Sequence, residues 1–126
     1  RVGVPMPVIH VRGLGPDGGT EQVDAALRLI AREVAAVLGE EPRSTWCTFT
    51  AVTRMSLGER IIEQADRIVY LDMWIRPRDP AVRSQALEAA CRAAARGLDV
   101  PIEDVWAAQH LVQAGHVFAG GTVISE

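Results

Sequence analysis

Two arginines flank a proline at Arg76-Pro77-Arg78. Proline fixes the backbone between them, so both guanidinium groups can converge on one spot. A guanidinium binds a carboxylate through two parallel N–H bonds, and a pair of them is a natural clamp for a small organic acid. The competing reading is a pair of solvated loop arginines, one of them bonding Asp79, and the tripeptide alone does not choose between the two. Three histidines, His10, His110 and His116, stand far apart in the chain. A lone histidine on a strand is more often a packing or surface residue than a catalyst. His116, in a loop beside Gly115, is the better candidate of the three. Gly13, Gly15, Gly18 and Gly19 have neither dinucleotide-loop nor phosphate-loop spacing, and no serine sits in a nucleophile elbow. Cys47 and Cys91 belong to no CxxC or Cys/His cluster, so no metal site and no cofactor is implied.

A fourth candidate is Met6-Pro7, which opens the run Met-Pro-Val-Ile like a translation start whose methionine is trimmed. A proline at a chain's start carries a free secondary amine. An α-amino group titrates near about 7.7–8.0, and burial beside cations lowers that further, which suits a general base near neutral pH. Residues 1–6 precede Pro7 here and are read as an N-terminal extension. While they persist, the proline nitrogen is an amide without basicity, and Pro7 simply opens an edge strand.

These residues must be positioned by the elements around them. Pro7 to Arg12 alternates as a strand does. Gly13 to Gly19 is a loop. Thr20 is a plausible helix cap, and Val23, Leu27, Ile30, Val34, Val37 and Leu38 then recur on one helical face until Gly39 stops the helix. Thr45 to Thr53 is rich in β-branched and aromatic residues and reads as a second strand. Arg54 to Asp66 is a polar connection with room for one helical turn at 57–64. Arg67 to Arg76 is the strongest strand. Asp79-Pro80 caps an alanine-rich helix that runs to Arg96, with Leu87, Ala90, Cys91 and Ala94 inward and Gly97 as its stop. Asp104 to Val112 is the fourth strand, and Gly115 to Ile124 a loop or short hairpin.

The order is β-α-β, link, β-α-β, an internal repeat with halves near 7–53 and 67–124 inside one domain of 126 residues. Ile9 and Leu71 hold similar places, and Trp46 and Trp106 each follow a proline. Each right-handed β-α-β gives a parallel strand pair with a helix on one face. The fold class is therefore α/β (α+β), one four-stranded sheet with two helices on one side. The other face, carrying Tyr70, Asp72 and Trp74 or else Leu71 and Met73, has no cover within the chain, which predicts a homo-oligomer. A net charge of −3 and few aromatic rings exclude a nucleic-acid surface. No apolar run nears the roughly 20 residues that span a bilayer. With no signal peptide, the cysteines read as reduced, buried thiols of a cytoplasmic protein.

Together these features resemble the tautomerase superfamily, β-α-β-built proteins with an amino-terminal catalytic proline. The long form resembles its malonate semialdehyde decarboxylase, cis-3-chloroacrylic acid dehalogenase and macrophage-migration-inhibitory-factor branches. The likeness spans Pro7 to about Gly121. It rests on Pro-Val-Ile opening the first strand, the duplicated β-α-β, Ile75-Arg76-Pro77-Arg78 after the third strand and Asp104-Val105 entering the fourth. Val117-Phe118-Ala119-Gly120-Gly121 is similar to the decarboxylase's tail loop.

The resemblance implies a homotrimer, a small keto or enol carboxylic acid as substrate, Pro7 as acid/base, and Arg76 and Arg78 holding the carboxylate. His116 and Phe118 would line the apolar wall of the pocket. The implied activity is that of a tautomerase, an isomerase. The alternatives are a decarboxylase-like lyase, or a silent anion-binding scaffold with Pro7 blocked by residues 1–6. The sequence departs from the hydrolytic and decarboxylating members at Ser44, where they carry an acid. No carboxylate is expected there to activate water.

Overall fold

The structure is a computed structural model that describes residues 6–125. Four strands, β1 (Val8–Gly13), β2 (Trp46–Ala51), β5 (Val69–Ile75) and β6 (Val105–Leu111), form its sheet in the order β2-β1-β5-β6. Between β2 and β5 lies a short hairpin, β3 (Ser56–Leu57) with β4 (Arg60–Ile61), and a second hairpin, β7 (Phe118–Ala119) with β8 (Thr122–Val123), follows β6. The polar connection thus holds a hairpin turning at Gly58 and a 3-10 turn at Gln64–Asp66, in place of the helical turn expected at 57–64. Gly58 has φ 61°, a conformation that glycine adopts freely and that closes a hairpin where a helical turn would need negative φ.

Pairs β1–β2 and β5–β6 are parallel, as the crossover rule demands, and the two units meet through the antiparallel pair β1–β5. Helices α1 (Gly19–Leu38) and α2 (Pro80–Leu98) are the crossovers, and both pack on one side. Ile9 and Val11 of β1 and Val69, Leu71, Met73 and Ile75 of β5 point to the helices and are fully buried. They meet Ala26, Ile30 and Val34 of α1 and Ala86, Ala90, Ala93 and Ala94 of α2. Leu71 and Met73 therefore belong to the core, and Tyr70, Asp72 and Trp74 to the uncovered face.

The helix ends differ in part from expectation. No side chain caps α1. Gly18 is its N-cap, two positions before the expected Thr20, and the Gly18 N–H is met instead by the Gln22 side chain. Gly39 closes α1 in the left-handed conformation with φ 68°, as expected. Asp79 caps α2 by accepting a hydrogen bond from the Ala81 N–H. Gly97, expected to end α2, lies within it, and Asp99 takes the left-handed cap position. The glycine has a different task, for a β-carbon there would stand 2.6 Å from Ala26 Cβ and 2.7 Å from Ala26 Cα. The two helices cross so closely that only hydrogen fits.

Cys47 and Cys91 are both free and half-buried. Burial pushes the Cys47 thiol from its ordinary value of 9.0 up to about 12. Cys91 is also raised, first by burial and then by the Glu88 carboxylate.

Gly97→Ala sets a helix-propensity gain of about 1 kcal/mol against an overpacking cost of about 1–3 kcal/mol. Because the contact is with backbone, the cost wins, and urea unfolding should show a net loss of about 1 kcal/mol. The Cys47 thiol contributes stability that is complete below pH 9 and lost as pH rises from 9 toward 12, since the unfolded thiol ionises first. In the Cys91→Ser background, an aromatic disulfide reagent at pH 8 should modify the native protein at least tenfold more slowly than the urea-unfolded chain. Equal rates would contradict the burial of Cys47.

Candidate active site

One end of the sheet gathers the residues singled out in the sequence. Because β1 runs antiparallel to β5, with Val8 opposite Trp74, the start of β1 lies beside the end of β5. Continuing that register sets Pro7 opposite Ile75. On its other side, the Pro7 carbonyl accepts a hydrogen bond from the Trp46 N–H at 3.1 Å, so the start of β2 joins the same end. Pro7 is fully buried, and its nitrogen is engaged in the peptide bond to Met6.

Arg76 and Arg78 leave the end of β5 and are half-buried. The Arg78 Nη2 donates to Glu40 Oε2 at 2.6 Å, with both side chains only about a quarter exposed, at 26% and 29%. Glu40 itself is held by the end of α1, where its N–H donates to the Ala35 carbonyl. From α2, Arg83 Nε donates to the Arg78 carbonyl at 3.2 Å. Arg76 forms no ion pair among the described residues. Four buried polar atoms here find no protein partner: Arg76 Nε, Arg78 Nε, Glu40 Oε1 and Thr45 Oγ1. Buried donors and acceptors are almost always satisfied, so these four are the buried side-chain groups at this end still free to take a polar partner. Thr45 is the residue before β2 and is 6% exposed.

Sequence reasoning missed Glu40 and Thr45. It looked for an acid at Ser44, which is buried and supplies none. The carboxylate arrives instead from four residues earlier, just past Gly39. The glycine stop was the signal available, because it ends α1 in the left-handed conformation immediately before Glu40.

Beside this end, on the uncovered face, lies a cavity of about 740 Å³ lined by Met6, Val8, Trp46, Trp74, Val112 and the segment His116–Gly120, with Arg43 at its rim. Val8, Trp46 and Trp74 form one row across three strands, and the hairpin β7–β8 with the residues before it stands over that row. His116 and Phe118 are thus brought together on an apolar wall. Neither Pro7 nor the two arginines lines this cavity. His10 and His110 lie elsewhere on the uncovered face. His10 Nδ1 bonds Thr48 Oγ1 at 2.8 Å and its ring meets Trp74 edge-on, while His110 stands 3.7 Å from an Asp72 carboxylate already paired with Arg12 at 2.8 Å. Among the described residues no cluster of three or more histidine, cysteine or acidic side chains could hold a metal. No helix among them is long and apolar enough to cross a membrane.

No family model matches the sequence, and no curated protein matches it. Solved structures do. A fused 4-OT, solved as a symmetric trimer, superposes with a TM-score of 0.78 at 12% identity, covering 94% of this chain and 95% of that one. N1, a member of the cis-3-chloroacrylic acid dehalogenase family, gives 0.79 at 18% identity over 94% and 84%. The macrophage migration inhibitory factor of Toxoplasma gondii gives 0.72 at 15% identity over 93% and 99%. This is the tautomerase-superfamily fold. Within that fold the chain keeps both β-α-β units, with the sheet in mixed order and both helices on one side.

The Glu40–Arg78 pair joins two segments 38 residues apart. Removing one partner of a partly buried, charge-assisted hydrogen bond strands the other, at about 1.5–3 kcal/mol. Arg78→Met should therefore lower the unfolding free energy by about 2 kcal/mol. The double variant Arg78→Met/Glu40→Gln should recover part of that loss, giving a coupling energy of about 1 kcal/mol. Additive losses would show that the contact contributes nothing.

Proposed function

We propose that this protein is a tautomerase-type isomerase of the superfamily whose fold it has, acting as a single domain on a small keto or enol carboxylic acid. The observation that carries the reading is the meeting of Pro7 with Arg76 and Arg78 at one end of the sheet, beside buried Arg Nε donors that have no protein partner. The substrate carboxylate binds the arginines. Pro7, as the mature N-terminus, is a secondary amine. It takes a proton from the carbon next to the carbonyl, and the electron pair moves to the carbonyl oxygen. The guanidinium groups stabilise the enolate that develops, and preorganised charge of this kind commonly supplies most of the rate enhancement in such reactions. The prolinium then returns the proton at oxygen or at another carbon. His116 and Phe118 bound the space that takes the rest of the substrate. No cofactor enters this scheme.

The assembly proposed is a homotrimer in the cytoplasm. Trp46, Trp74 and Trp106 on the uncovered face are 59%, 48% and 62% exposed, a large apolar area for a lone chain to leave in water. The fused 4-OT of the same fold is a trimer.

A second reading is a silent anion-binding scaffold, and one observation favours it. Met6 is 5% exposed and lines the apolar cavity, so the residue that blocks the Pro7 nitrogen is itself packed in place. A decarboxylase-like lyase would use the same three residues on a 3-oxo acid.

The intact mass of protein made from its native gene tests the amine directly, and a chain beginning at Pro7 is expected. On that protein, Arg76→Ala should reduce kcat/KM for a 2-hydroxy-2-alkenoic acid by about 10²–10³-fold, the usual effect of removing one donor to a developing oxyanion. Unchanged turnover would remove Arg76 from the mechanism. A mass that retains residues 1–6 would leave the scaffold reading standing.

A further inference from the structure

Glu40 changes what the arginine site can hold. It was not among the residues that the sequence pointed to, and its carboxylate sits directly on Arg78 at 2.6 Å. Its position is fixed from behind. Gly39 turns the chain left-handed, and the Glu40 N–H is tied to Ala35, so the backbone from which the carboxylate reaches Arg78 is held at the end of α1. Arg78 is fixed too, with its carbonyl held by Arg83 and its side chain following the rigid Pro77. The interaction is thus a built contact between two anchored groups rather than a chance surface pair.

The charged groups at this end can be counted. Three guanidinium groups are present, Arg76, Arg78 and Arg83. Glu40 answers Arg78, while Asp79 is turned onto the first turn of α2 and pairs with no arginine among the described residues. Arg76 and Arg83 have no ion pair among the described residues, and of the two only Arg76 keeps a buried Nε without a partner, because Arg83 Nε is bonded to the Arg78 carbonyl. Arg78 still has its Nε–H to give, but its charge is already answered.

We propose that Glu40 is a specificity-determining residue that makes this a one-carboxylate site. It fills the place that a second substrate carboxylate would need, so the site accepts monocarboxylates and rejects dicarboxylates of the same shape. This rests on the reading that Arg76 and Arg78 form the anion site. A dicarboxylate would have to displace Glu40 from Arg78 or lie beside it unpaired, and either way like charges are brought together in a partly buried setting.

Succinamate and succinate are a matched pair of probes, nearly equal in shape and differing by one charge. Titration calorimetry at pH 7 on the wild-type chain should show succinamate binding at least tenfold more tightly than succinate. Glu40→Gln keeps the size and removes the charge, and should raise the succinate-to-succinamate affinity ratio at least tenfold. Glu40→Asp keeps the charge and should retain the wild-type preference. A purely structural role for Glu40 would weaken both anions together and leave the ratio unmoved, which would overturn the proposal. So would a wild-type protein that binds succinate as well as succinamate, a result that needs no variant to fold. In both of those cases anion binding persists and the arginine site stands. If neither anion binds the wild-type protein, the arginine site and this inference fall together.

Discussion

The antiparallel pairing of β1 with β5 is the constraint on which the rest depends. Each β-α-β unit alone is a parallel pair with one helix, too small to bury its strands well. Joined edge to edge, the units form a sheet with β1 and β5 at its centre, and these two strands supply six of the core's buried residues. The antiparallel sense has a chemical consequence. It brings the first residues of one unit beside the last strand residue of the other, so Pro7 comes opposite Ile75, 68 positions away in the chain, with Arg76 the next residue along. A parallel joint would have sent them to opposite ends.

The same joint leaves one face open. β-α-β crossovers are as a rule right-handed, and once two units of the same hand are related by the antiparallel pair their helices fall on the same side, as they do here. There they must lie close together, which explains why α2 is built from alanines and why Gly97 meets Ala26. Small residues let the backbones approach, and dispersion contact replaces side-chain volume. The open face is arranged differently. Arg12 pairs with Asp72 and lies over Tyr70, and His10 is tied to Thr48 and Trp74, so its polar groups are already satisfied while its tryptophans are not covered. A surface of satisfied polar groups between exposed rings resembles the inside of an interface more than a solvated face.

Much of this was legible in the sequence because it is written in local patterns. The helical spacing of Val23, Leu27, Ile30 and Val34, the Asp79-Pro80 start, and the alternation through Val69 to Ile75 each depend on neighbours within a few positions. The repeat then fixed the sheet and the side on which the helices lie. What escaped detection was non-local. Gly97 reads as a stop because glycine after a helical run usually is one, and only the approach of a second helix reveals its real task. Asp99, which does end α2, gave no such signal. Tyr70 and Leu71 could each have been the outward residue until the helices chose the face. Arg76 and Arg78 are recognisable as a pair, yet their inequality is hidden, because it comes from Glu40, 38 positions before Arg78.

The internal repeat gives the sheet two similar ends, and comparing them isolates what is special about one. At the far end, β1 runs out through Leu14-Gly15-Pro16, and β5 begins after Arg67. That arginine is flanked by two carboxylates, bonded to Asp17 and 3.7 Å from Asp99. Its charge is fully answered by the protein, and no buried side-chain atom of that region lacks a partner among the described residues. At the near end, Arg76, Arg78, Thr45 and Glu40 each keep a buried atom unpaired, and Arg76 and Arg83 have no carboxylate partner among the described residues. Leaving such groups unsatisfied costs stability at a position where the duplicated structure shows that satisfaction was available. The proposed anion site accounts for that asymmetry, since the unpaired Arg76 and Arg78 Nε donors are groups that a bound carboxylate would complete.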